Sequence, residues 1–318
     1  MNTFAVVGCG GLGARHVQAL SRTKQPLSVW AVDTAATALA ACKDIIEKTA
    51  DRNPKSEFHY APDISDLPKK IDFAIIATTA RPRLGALKAL LSGRSVEGLL
   101  LEKILFSRLS EYDECEEMMG SGFPLAWVNT NMPMIPAYGN FKPHVKEGPV
   151  ALNVVGGNIR IASNLIHYID YVHFLSGVSD YEIDIDPRCV TLVDNKRAGY
   201  KDLEGEAYAR FRDGSSIHVS TRQDASVPFQ TQVAGKDAVM ITRDREAKTW
   251  MLRRENNWAW DEMATPYPFQ SNLTTDLAHQ FLDKKTLPLT DLATSIKLHR
   301  PLVEALLAVS GPDVLPFT

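Results

Sequence analysis

The sequence predicts an α/β protein: a doubly wound parallel sheet over residues 1–128, then an α+β domain over residues 129–318 whose sheet is open and largely antiparallel. Three observations carry this. Six apolar runs of strand character alternate with helical patterns in the first 128 residues, the order that a parallel sheet covered on both faces requires. The first run enters the turn Gly8-Cys9-Gly10-Gly11-Leu12-Gly13 and passes at once into a helix. Beyond residue 130 the texture changes to strand-like segments in succession around one long helix.

The glycine turn has the spacing of a dinucleotide-binding (Rossmann) loop. Gly8 permits a tight turn, Gly10 lets backbone approach a pyrophosphate, and Gly13 lets the helix pack closely on its strand. The N–H groups of the helix start, those of Gly11 and Leu12 among them, then receive the phosphates. A second apolar run, 27–32, ends in Asp33, twenty residues beyond Gly13, where a carboxylate accepts both ribose hydroxyls of an adenosine. Thr34, Ala35 and Ala36 follow, with no Arg or Lys to neutralise a ribose 2′-phosphate, which favours NAD over NADP. A purely structural glycine turn is the bland alternative.

At 318 residues the chain has room for two ordinary domains. Its formal charge of −3 argues against a nucleic-acid partner. With no leader pattern and no run near the roughly 18 apolar residues of a membrane span, a soluble, unexported, cytoplasmic protein without a membrane partner is expected. Cys9, Cys42, Cys115 and Cys189 lie far apart, suggesting neither a zinc site nor a disulfide framework.

In chain order, the alanine-rich stretch 34–49 has helical spacing and 58–60 is a short strand. The run 71–77 is continuous enough for burial on both faces and stops at Thr78-Thr79, at the end of a parallel strand that faces ligand. A helix over 84–91 closes at Gly93, and the strand 96–101 ends in the charged pair Glu102-Lys103. That pair is either a surface terminus or part of the ligand-binding end. A helix over 109–119 and a strand over 125–128 complete the parallel sheet. Then come a strand over 150–155, a helix over 162–175, strands over 182–193, 204–211, 216–221, 230–233, 239–242 and 249–253, and helices over 273–282 and 292–309. Asp213-Gly214 marks a hairpin turn.

At about 100° per residue, the helix 164–175 separates two edges. Leu165, Ile166, Ile169, Val172 and His173 share one; Asn164, His167, Asp170 and Tyr171 share the other, which gathers groups able to accept, donate and orient a proton. His173 reads as a packing residue. For His167 the alternative is a half-buried histidine bonded to Asp170, and no HxxxH or Cys/His cluster supports a metal there. His16 reads as packing or phosphate contact, and His279 and His299 as structural or interface residues.

With these features in order, the chain resembles the Gfo/Idh/MocA oxidoreductases over essentially its whole length. The likeness rests on the glycine turn, Ala77-Thr78-Thr79, Glu102-Lys103, His167-Tyr-Ile-Asp170 with Leu175-Ser-Gly177, and Leu287-Pro-Leu-Thr followed by His299. The usual Glu-Lys-Pro stands here as Glu102-Lys103-Ile104. Ala162-Ser-Asn164-Leu-Ile-His167 is similar to a subgroup linked to bacterial surface-sugar and nonulosonate synthesis, although Met132-Pro133 replaces the paired arginines of such members. The resemblance implies hydride transfer between NAD and a secondary alcohol or ketone of a sugar or cyclitol lying between the nicotinamide and the helix of His167. It implies Gly8, Gly10, Gly11, Leu12, Gly13, Asp33, Thr78, Thr79, Glu102 and Lys103 around the cofactor. His167 is the expected base, Lys103 polarises the oxygen (or the two exchange roles), Asn164 positions a hydroxyl, and Asp170 orients the imidazole. The open second sheet is the expected interface of a homo-oligomer, dimer or tetramer. A NAD-binding regulator without turnover, and redox-assisted elimination or glycoside cleavage with recycled NAD, are the rival readings.

Overall fold

The computed structural model describes residues 1–145, 148–222, 226–311 and 315–317. These fall into two units. The first gathers Met1–Phe106, Asp113–Asn129 and Pro268–Leu292; the second gathers Ser107–Tyr112, Thr130–Tyr267 and Ala293–Thr318.

Six strands build the sheet of the first unit: β1 (Asn2–Val7), β2 (Leu27–Val32), β3 (Glu57–Ala61), β4 (Lys70–Ile76), β5 (Ser95–Leu101) and β6 (Leu125–Val128). Their order is β3-β2-β1-β4-β5-β6 and every pairing is parallel. Such strands must be apolar on both faces, which is why Phe4 to Val7 and Phe73 to Ile76 are all buried. The strand order reverses between β1 and β4, so the loops after these two strands flank the crevice where open parallel sheets bind ligands. The covering helices are α1 (Gly11–Leu20), α2 (Ala36–Glu47), α3 (Ala80–Leu91) and α4 (Leu109–Met118), the last crossing the boundary between units. Helix α3 starts a turn earlier than its apolar spacing predicts, because Pro82 is tolerated in a first turn, where its missing N–H has no intrahelical partner.

The first unit extends past a single cut after residue 128, because the chain returns to it with α7 (Gln270–Lys284). Leu273, Leu277, Ala278 and Phe281 form the buried stripe of that helix. Phe281 lies 4.6 Å from Phe73, centroid to centroid, and edge-on to Trp127 at 6.2 Å. Burying a ring of this size contributes about 1.5–3 kcal/mol. Against α1, Thr275 donates to the Ala19 carbonyl at 2.8 Å, and His279 accepts from the Lys24 N–H at 3.0 Å, a structural role as its position suggested.

The second unit is built on a mixed sheet. Its strands are β7 (Ala151–Gly157), β8 (Tyr181–Asp184), β9 (Val190–Asp194), β10 (Lys201–Phe211), β11 (Ser216–Arg222), β12 (Gln230–Ala234), β13 (Ala238–Arg243), β14 (Lys248–Arg253) and β15 (Asp261–Ala264). They lie in the order β15-β14-β13-β12-β7-β11-β10-β8, with β9 also on β10; only the β7–β11 pairing is parallel among the described strands. The single strand expected over 182–193 is two, since Pro187 cannot donate to a ladder and Asp186 turns the chain by accepting the Arg188 N–H at 2.8 Å. The short α5 (Pro136–Gly139) and strand β15 have too little periodicity to be read from sequence. Helices α6 (Ile161–Ser176) and α8 (Leu292–Ser310) complete the unit, and α6 packs on β10 and β11.

Candidate functional site

The glycine turn folds as its spacing demands. Gly8 has φ +90°, and a Cβ there would lie 2.7 Å from the Thr78 nitrogen; one on Gly13 would lie 1.8 Å from the Gly8 oxygen. Both glycines are therefore required by backbone packing. A Cβ on Gly10 or Gly11 would instead meet nothing within 4 Å, so the side of the loop at the start of α1 is open. No side chain caps that helix, and its first N–H groups and positive dipole end suit an anion.

Asp33, at the end of β2, is held by two backbone donors: Oδ2 accepts the Cys9 N–H at 2.7 Å and Oδ1 the Ala35 N–H at 2.8 Å. The acid is thus tied to the glycine loop itself and half-buried, and the residues after it, Thr34, Ala35 and Ala36, are exposed and uncharged. An open phosphate cradle, an uncapped helix start and an oriented acid fit a dinucleotide. Cys9 is buried; its hydrogen bond with Cys42, then burial, push its thiol up, so it stays protonated and packs.

Lys103 follows β5 and is half-buried. The residue before it, Glu102, is only 3 % exposed and accepts hydrogen bonds on Oε1 from His16 Nε2 at 3.0 Å and from Asn129. His16 is itself fully buried, with Nδ1 2.8 Å from Thr274 Oγ1, a hydroxyl that also accepts from Gln270. Burial pushes the Glu102 carboxyl up, but the bonds from His16 and Asn129 and the charge of Lys103 outweigh it and hold the group at about 2. Glu102 is therefore a carboxylate committed to internal bonds. On the other side of Lys103, Arg83 donates to the Ile104 and Leu105 carbonyls, and also to the Thr78 carbonyl at the end of β4.

In the second unit, α6 carries His167 and Asn164, both half-buried, and Asp170, which is 1 % exposed. The helix is tethered at both ends. Ser163 donates to the buried Asp202 of β10, Arg160 pairs with Glu204 of the same strand, and the Asn164 amide donates to the Arg160 carbonyl at 2.9 Å. At the far end Lys142 donates to the Phe174 and Leu175 carbonyls, at 2.6 Å each, and Gly177 closes the helix with φ +78°. His173 Nδ1 lies 3.2 Å from both the Val178 carbonyl and Ser179 Oγ, in keeping with a packing role. Below α6, Tyr138 donates to Asp244 at 2.9 Å, and burial pushes the Asp244 carboxyl up despite that bond.

No protein-family model matches the sequence, and no curated protein matches it. Solved structures do. UDP-N-acetylglucosamine 3-dehydrogenase GnnA from Acidithiobacillus ferrooxidans superposes with a TM-score of 0.74 at 14% identity, over 97% of each chain. An oxidoreductase from Agrobacterium radiobacter, in complex with NAD+, L-tartaric acid and magnesium, gives 0.71 at 13% identity, over 99% of this chain and 98% of that one. A Gfo/Idh/MocA family oxidoreductase from Vibrio cholerae gives 0.68 at 15% identity, over 96% of each chain. The chain has the fold of the Gfo/Idh/MocA oxidoreductases.

Within that fold, the first unit brings Gly8, Gly10, Gly13, Asp33 and Thr78 together. Sequence reasoning missed Arg83 and Asn129 as partners of the Glu102–Lys103 turn, and Asp202 as the anchor of α6. Asn129 stands directly after β6, at the ligand-binding end of the sheet, and that position was the available signal. For Asp202, on a strand far along the chain, no local pattern exists. Among the described residues no helix is long and apolar enough to cross a membrane, and no three His, Cys, Asp or Glu side chains converge on a metal position.

Proposed function

We propose that this chain is a NAD-dependent oxidoreductase that moves a hydride between the nicotinamide and a secondary alcohol or ketone of a sugar, sugar derivative or cyclitol. The observation that carries the reading is the pairing of an open dinucleotide loop, its acid held at 2.7 Å by the loop's own backbone, with a lysine fixed at the end of β5 in the same unit. The fold of known oxidoreductases supports it, and so does the likeness to a UDP-N-acetylglucosamine 3-dehydrogenase.

The backbone of Gly10, Gly11 and Leu12 would receive the pyrophosphate, Asp33 the adenosine ribose, and the Thr78-Thr79 loop the nicotinamide half. Bound NAD supplies the hydride acceptor. In this assignment His167 removes the hydroxyl proton as hydride leaves the carbon, and Lys103 stabilises the developing alkoxide; proton transfer by a positioned group contributes about 10²–10⁴-fold. Asp170 fixes the imidazole and Asn164 a neighbouring hydroxyl. The acid at 33 and the absence of a basic residue after it favour NAD over NADP.

The uncovered sheet face supports a homo-oligomer, dimer or tetramer. Tyr208, His218, Asn153, Gln232, Ile241, Trp250 and Glu262 stand in register across seven strands on the face opposite the buried Ala207, Val219, Leu152, Val233, Met240 and Met251. A concavity of about 450 Å³ lined by Trp250 and Trp260 interrupts it. A broad sheet face on which Tyr208, Ile241, Trp250 and Trp260 stand among polar residues suits a second copy of the same face.

A screen of sugars and nucleotide sugars with NAD, read by nicotinamide absorbance, tests the proposal. The expected outcome is turnover that Lys103→Ala or His167→Ala lowers by about 10²–10⁴-fold. Tight NAD binding with no turnover of any member would point to a regulator instead.

A further inference from the structure

We propose that Arg83 is a positioning residue for Lys103: it clamps the backbone that presents the lysine. The inference rests on the reading of Lys103 as a group that faces substrate. Arg83 is only 1 % exposed, on the first turn of α3, a helix that begins beside the Thr78-Thr79 loop. Its Nη1 donates to the Ile104 carbonyl and, at 2.9 Å, to the Leu105 carbonyl, while Nη2 donates to the Thr78 carbonyl. One guanidinium thereby joins the ends of β4 and β5.

Lys103 therefore has an anchored neighbour on each side. Glu102 is fixed by His16 and Asn129, and Ile104-Leu105 by Arg83. The carbonyls concerned belong to residues that are wholly buried at 104 and 105, where an unmet acceptor would be costly. A planar guanidinium holds its N–H groups in a fixed fork and so fixes the three carbonyls relative to one another, whereas an ammonium is a point charge on a mobile stem. Small displacements of a reacting group cost on the order of a hundredfold in rate, so a loose turn would affect turnover while sparing cofactor binding at Gly10 and Asp33.

The test uses the full chain with Arg83→Ala and Arg83→Lys. Amide hydrogen exchange, read by mass spectrometry, compares peptides over residues 102–106 with peptides of β1 and β11. NAD affinity is measured by calorimetry, and turnover with any alcohol that the wild-type protein oxidises. The clamp predicts exchange about tenfold faster over the turn alone, kcat down about a hundredfold, and NAD affinity within about twofold for Arg83→Ala. Millimolar guanidinium ion, but not urea, should restore slow exchange and turnover, and Arg83→Lys should fall between. Unchanged exchange and kcat in folded Arg83→Lys would overturn the proposal. So would acceleration of turn, β1 and β11 peptides alike without guanidinium rescue, which marks a residue of general stability. Should Arg83→Ala fail to fold, the lysine variant decides by the same readings. Wild-type turnover in Lys103→Ala would instead sink the role of Lys103, while the exchange measurement still tests the clamp.

Discussion

The two units make their chemistry from different materials. In the first, the groups that suit a cofactor are backbone groups at the ends of β1 and β4, shaped by glycines that cannot be replaced without collision at Gly8 and Gly13, and one carboxylate, Asp33 after β2, held by that same backbone. In the second, the groups proposed to handle the proton are side chains on one helix, held in place by residues of β10 and of the segment before β7. A backbone site is specified by a short stretch of chain; a side-chain site is specified by whatever anchors the helix that carries it. The glycine loop is therefore most exacting at Gly8 and Gly13, and the helix of the second unit depends on contacts spread over the chain.

Removing a side chain that reacts should have the largest effect. Lys103→Ala and His167→Ala are each expected to lower turnover by about 10²–10⁴-fold, with thermal unfolding little changed. Wild-type rates in steady-state assays would break the contrast at its chemical end.

Next in size is the buried pair that backs the lysine. His16→Leu leaves the Glu102 carboxylate buried with a partner missing, and should cost about 3–5 kcal/mol in urea unfolding. The pH dependence has a definite sign. Glu102 is held at about 2 against an ordinary 4.5, so the stability it contributes is complete above 4.5 and is lost as pH falls toward 2. Glu102→Gln should flatten unfolding free energy across that window, and an unaltered acid limb would mean that other carboxylates control it.

A smaller change is expected from Asp33→Ala, which should weaken NAD by about 1–3 kcal/mol in calorimetry, the cost of polar groups left unpaired. Because the loop's geometry is set by glycines, its fold should survive the substitution. Smaller still for the single chain is Trp250→Lys on the uncovered sheet face, expected to shift stability by no more than about 0.5 kcal/mol. Light scattering should nevertheless show the proposed oligomer reduced to smaller species; an unchanged mass would contradict an interface on this face.

The same contrast explains what could be read from the sequence. The six parallel strands, the glycine turn and Asp33 are local patterns, and each lies where its spacing put it. Most strands of the second sheet are legible one by one, β15 and the break between β8 and β9 excepted, but the parallel pairing of β7 with β11 is not, since register between strands some sixty residues apart leaves no local trace. The return of α7 to the first unit is likewise a matter of where Phe281 packs. Glu102 stood out as a charge at a strand end, yet its bond to His16 joins residues separated by 86 positions. Arg83 precedes the helix read from the apolar spacing, and its burial follows from three carbonyls that no sequence pattern announces.

The central claim is that Lys103 and His167 serve one proton transfer on one substrate oxygen. A double-mutant cycle on kcat/KM tests it most directly, using the alcohol found by the NAD screen. If the claim is right, Lys103→Ala/His167→Ala is scarcely slower than the worse single variant, as for groups that act as a unit. If instead the two losses multiply, or if either single variant keeps wild-type turnover, the two groups do not share that step and the assignment fails.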